Sequence, residues 1–60
     1  MKVRASKTEF LFYVKKYVAE GFLIVKVTSR LRGYSYLLKK DSTSIFMEFS
    51  FNGWMNITKS

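Results

Sequence analysis

The residues in this chain best suited to chemistry are cations and aromatics: Arg30 and Arg32 two apart, Arg4 and Lys7 near the start, and Tyr34 and Trp54. An arginine fork matches two oxygens of one phosphate. An aromatic ring offers a flat face on which an unpaired base can stack. That combination binds; it does not make or break bonds. Catalysis needs positioned acids, bases or nucleophiles, and the chain has no His and no Cys. Its four carboxylates, Glu9, Glu20, Asp41 and Glu48, fall in four separate segments. They offer neither a paired acid and base nor an oxygen cluster for a hard cation. The usual zinc ligands are missing, and no general base accompanies the serines. The expectation is a protein with no enzymatic active site, no metal and no cofactor.

Charge sharpens the expectation about partners. Eleven Lys/Arg against four Asp/Glu give a net +7. Residues 1–20 carry five basic and two acidic side chains, residues 21–40 five basic and none acidic, and residues 41–60 one basic and two acidic. A field of that sign attracts nucleic acid, an anionic membrane or an acidic protein surface. A membrane span would need about 20 apolar residues, and the strand-like apolar run Phe22 to Val25 is far shorter. Met1 to Ser6 has charge without the apolar stretch of a secretory leader. The expected location is cytoplasmic.

These side chains need a scaffold. Sixty residues allow one small basic domain over 1–60, and a chain of this length buries only about 60% of the surface its unfolded form exposes. With no disulfide available, apolar packing must supply the stability, with oligomerisation as the further option. Six Phe, four Tyr and one Trp supply the bulk for a core.

Residues 7–20 read as a helix. Ser6 and Glu9 have capping-box spacing, and Gly21 stands where a left-handed residue ends a helix. Phe10, Val14, Tyr17 and Val18, with Leu11 at the margin, form one apolar stripe. Lys15, Lys16 and, against the pattern, Phe12 fall on the other side. Residues 22–28 read as a strand, with Leu23, Val25 and Val27 toward the helix. Residues 29–33 read as a turn or short extension, and 34–39 as a second strand. Residues 40–43 have turn chemistry. Residues 44–51 alternate, with Ile45, Met47, Phe49 and Phe51 on one face. Asn52-Gly53 is a hairpin signal, so 54–58 returns as a short strand or trails off. Residues 2–5 are a further strand candidate. The fold expected is α+β: one N-terminal helix on a three- to four-stranded antiparallel meander, in the order α-β-β-β.

In that meander the 29–33 turn, the Asn-Gly turn and the helix start share one pole. Lys2, Arg4, Lys7, Arg30, Arg32 and Trp54 then gather beside the positive end of the helix. The reading is a phosphate-binding pole with Arg30 and Arg32 as principal contacts, Arg4 and Lys7 assisting, and Trp54 or Tyr34 stacking. The plainer reading is a set of solvated turn cations. Phe12 with Lys15 and Lys16 forms a secondary patch on the outer helix face, either a contact surface or an aromatic shielded by lysine stems. The sheet face away from the helix carries Lys26, Thr28, Ser35, Leu37, Lys39, Phe46, Glu48 and Ser50, a surface for bases or for a homodimer. The function expected is a non-enzymatic nucleic-acid-binding module for DNA or RNA. The alternative is a small regulator or inhibitor docking on an acidic protein surface.

Overall fold

A three-residue strand, β1 (Lys2–Arg4), opens the chain, and Ser6 then starts helix α1 (Lys7–Ala19). In the computed structural model, which describes residues 1–60, the capping box is complete. The Glu9 N–H donates to Ser6 Oγ at 3.1 Å, and the Ser6 N–H donates to Glu9 Oε1 at 3.0 Å. Gly21 ends the helix with φ +104°. The Phe22 N–H reaches back to the Tyr17 carbonyl at 3.1 Å, and the Gly21 N–H to the Val18 carbonyl at 3.0 Å. This is the Schellman pattern, and its customary apolar contact is the Tyr17–Phe22 ring pair, 5.7 Å apart. Lys40 Nζ donates to the Glu20 carbonyl at 2.7 Å, placing a cation at the negative end of the helix. No helix is long and apolar enough to cross a membrane.

Four strands follow: β2 (Leu23–Arg30), β3 (Gly33–Lys40), β4 (Thr43–Ser50) and β5 (Trp54–Lys59). All pairings are antiparallel, and the sheet order is β1-β5-β4-β3-β2. The architecture is therefore α+β, one helix on one face of an antiparallel sheet. It has five strands rather than three or four, because both 2–4 and 54–59 join. The segment 29–33 is mostly strand: β2 runs to Arg30, which pairs with Gly33 and leaves Leu31 and Arg32 as a two-residue tip. Asp41 and Ser42 turn β3 into β4, with Asp41 at φ 54°, a conformation its short polar side chain tolerates. The third hairpin is one residue longer than a simple Asn-Gly turn. Ser50 pairs with Trp54, so Phe51 belongs to the loop and Gly53, at φ +94°, closes it.

Alternation then sorts the sheet into two faces. The helix covers Leu38, Ile45, Met47 and Met55, all fully buried, with Phe10 and Val14 pressed into them. Phe10 also meets Tyr34, Tyr36 and Phe49 at ring separations of 5.4–5.7 Å. β2 contributes nothing to this core. The expectation that Leu23, Val25 and Val27 face the helix holds by register only for Val27. A bulge between Ile24 and Lys26 drops Val25 from the ladder and places Leu23 opposite Lys39, on the uncovered side. The helix sits over the central strands, so Leu23, Val25 and Val27 each stay more than half exposed.

Candidate functional site

Register across the sheet builds the site. On the uncovered face, one row crosses all five strands: Arg30 on β2, Gly33 on β3, Ser50 on β4, Trp54 on β5 and Arg4 on β1. The next row on that face is Thr28, Ser35, Glu48, Asn56 and Lys2. Large side chains stand at the ends of the first row and small ones in its middle. The result is a groove of about 330 Å³, walled by Arg30 and Arg32 on one side and by Lys2 and Trp54 on the other. Four strand spacings separate Arg30 from Arg4, roughly 19 Å.

Gly33 sets the floor. A Cβ there would lie 1.9 Å from the Phe49 carbonyl oxygen, so no other residue fits without moving β3 off β4. Because Gly33 and Ser35 are low, Arg30 can reach over β3 to Glu48, with Nη1 3.6 Å from Oε2. This ion pair is solvent-exposed and contributes little to stability. Asn56 Nδ2 donates to the other Glu48 oxygen at 3.5 Å. One carboxylate thus lies at the centre of a groove whose walls are cationic. Trp54 is half-buried, with Lys2 Nζ 5.6 Å and the Arg4 guanidinium carbon 5.1 Å from its ring centroid. Cation–π contacts of this kind hold the indole and both cations in one cluster.

The structure brings Arg30, Arg32, Lys2 and Trp54 around the groove, while Arg4 packs on the Trp54 ring and stands outside the groove lining. Two other expected members lie elsewhere. Lys7 is exposed on the first helical turn and lines neither this groove nor the smaller cleft formed by Arg4, Ala5, Ser6, Glu9 and Gly53. At the positive end of the helix the capping box engages the Ser6 and Glu9 N–H groups and brings the Glu9 carboxylate to it. Tyr34 lines the groove, but its ring turns to the helix side, 5.4 Å from Phe10 and 5.3 Å from Phe49. Its hydroxyl is buried without a hydrogen-bond partner. Burial, with a smaller contribution from Tyr36, raises its pKa.

On the outer helix face Phe12 is 64% exposed, with Lys15 and Lys16 also exposed. Its ring packs edge-on against Tyr13 at 5.9 Å, and the cation–π contacts of the molecule lie elsewhere. The residues missed by sequence reasoning are Asn56 and Leu31. Asn56 was legible as the residue two beyond Trp54 on one strand face. Leu31, 94% exposed between two arginines, is a tip residue that periodicity does not reach. No protein-family model, curated protein or solved structure matches this chain.

Proposed function

We propose that this protein is a non-enzymatic nucleic-acid-binding module that works through the groove on its uncovered sheet face. The observation that carries the reading is the row Arg30–Gly33–Ser50–Trp54–Arg4, with cations at both ends, an indole beside one of them and only the small residues Gly33 and Ser50 between. Phosphates would take the guanidinium forks of Arg4, Arg30 and Arg32 and the ammonium of Lys2. An unpaired base would stack on Trp54, which favours a single strand over a duplex. Arg30 would exchange its weak contact with Glu48 for a phosphate. The non-enzymatic part of the reading rests on the missing His and Cys and on the dispersed carboxylates.

Trp54 is the chain's one tryptophan, so its fluorescence reports directly on the groove. Titration with a single-stranded oligonucleotide is expected to quench it. Trp54→Ala, followed by anisotropy of a labelled strand, should weaken binding by about fivefold or more, the loss of one base–aromatic stack. Arg30→Ala with Arg32→Ala should weaken binding about equally for every sequence. Unchanged fluorescence and unchanged affinity in these variants would remove the groove from the account.

A second reading, a small regulator docking on an acidic protein surface, draws support from Leu31. Leu31 is almost fully exposed between Arg30 and Arg32, and arginine is among the residue types enriched at interface hot spots. Recovery of partners from native lysate separates the two. Nucleic acid lost on nuclease treatment supports the first, and a stoichiometric protein that survives nuclease supports the second.

A further inference from the structure

The sheet has two edges, and they differ. β1 is a three-residue strand, too short to template another. β2 is eight residues long, pairs only with β3, and leaves its outer row of backbone N–H and C=O groups without a strand partner. It is also uncovered by the helix. Ile24 and Val27 share the helix-side face with Leu38 and Tyr36, yet they remain 44% and 53% exposed. An edge that is both unpaired and apolar on one face is the geometry that accepts an added strand.

Charge decides what kind of strand. The other face of β2 carries Lys26 and Arg30, and neither β2 nor β3 holds a single carboxylate. A second copy of this chain fits poorly. Two-fold pairing of β2 with itself would crowd Lys26 and Arg30 from both copies along one ribbon, between molecules of net charge +7. The bulge at Val25 and an edge lysine are devices by which strands avoid pairing with their own kind. They do not exclude a partner of complementary charge. We infer that β2 takes an extended segment of a partner protein as a sixth strand. That segment is apolar at alternate positions, toward Ile24 and Val27, and acidic at the positions between, toward Lys26 and Arg30. The inference shares Arg30 with the groove and is separated from it by Lys26, which lines the β2 edge and no part of the groove.

The test is amide hydrogen exchange of the full chain with a synthetic probe, acetyl-Val-Glu-Ile-Glu-Val-Asp-Val-amide, and with a control in which Lys replaces every acid. The acidic probe should slow exchange in β2 and leave α1 unchanged, the control should not, and the effect should weaken as salt rises. Lys26→Glu lies on the exposed side of an exposed strand and should keep the fold. It should weaken the acidic probe about two- to fivefold, the worth of one cross-strand charge pair. Equal protection by both peptides, or none by the acidic one, overturns the inference. Protection that grows with protein concentration in the absence of a probe also overturns it and assigns the edge to a second copy.

Discussion

Gly33 and Tyr34 are neighbours with opposite duties. Gly33 keeps the groove open by lacking a side chain, while Tyr34 fills the core behind it with a hydroxyl left unpaired. Gly33→Ala forces a Cβ against the Phe49 carbonyl and should cost about 2 kcal/mol or more. Against a total of about 3–9 kcal/mol for a chain this size, urea melts should shift visibly. An unchanged midpoint would mean that the β3–β4 contact is looser than described. Tyr34→Phe goes the other way. Removing a buried hydroxyl that has no partner should stabilise the fold by about 1 kcal/mol and leave oligonucleotide affinity unchanged, since the ring faces away from the groove. The pH dependence has a definite sign. Tyr34 has a raised pKa in the folded state, so its contribution to stability is complete below the ordinary tyrosine value of about 10 and is lost as pH climbs through the folded value. The advantage of the phenylalanine variant should therefore widen above pH 10. Urea melts on both sides of that pH measure it.

At the scale of elements, what could be read in advance was what local chemistry determines. Ser6, Glu9 and Gly21 fix both ends of α1 through backbone hydrogen bonds that a short stretch of sequence completes. Ser6→Ala should cost about 1 kcal/mol, seen as a lower thermal midpoint in circular dichroism. A smaller helix signal with an unchanged midpoint would place the cap outside the cooperative unit. Alternation over 44–51 gave the two faces of β4 as far as Ser50, because one residue per side is all that a pleated strand permits, but Phe51, read on the inner face, lies in the loop. β2 was not legible in the same way. Nothing in Leu-Ile-Val-Lys-Val announces a bulge, and one extra residue moves Leu23 to the other face while leaving Val27 in place. Nor does the chain state how far the helix reaches sideways. Its position over the central strands is a packing choice made by Phe10 and the buried residues of β3, β4 and β5. The Asn-Gly pair located a turn, but Phe51 joined the loop because Gly53, and not Asn52, takes the positive φ.

Charge belongs to the whole molecule, and there the topology divides it. Lys40 and Lys59 serve the end of the sheet beside the helix C-terminus, Lys40 on the Glu20 carbonyl and Lys59 5.5 Å from the Tyr17 ring. Lys2, Arg4, Arg30 and Arg32 lie at the other end, three of them lining the groove and Arg4 the cleft beside it, while Lys7, expected with them, lines neither. The cluster's place on the uncovered sheet face came from register, with β1 pairing to β5 as the step that sequence offered only as an option.

The central claim, that Lys2, Arg30 and Arg32 in the groove and Arg4 beside it act as one phosphate-binding surface, is tested most directly by the salt dependence of affinity for a single-stranded oligonucleotide. Three to four phosphate contacts on a single strand predict that log K falls against log salt with a slope of about −2 to −3. Replacing Arg30 and Arg32 by Ala should make that slope shallower by about one unit or more. A slope near zero, or one that these replacements leave unchanged, would contradict the account.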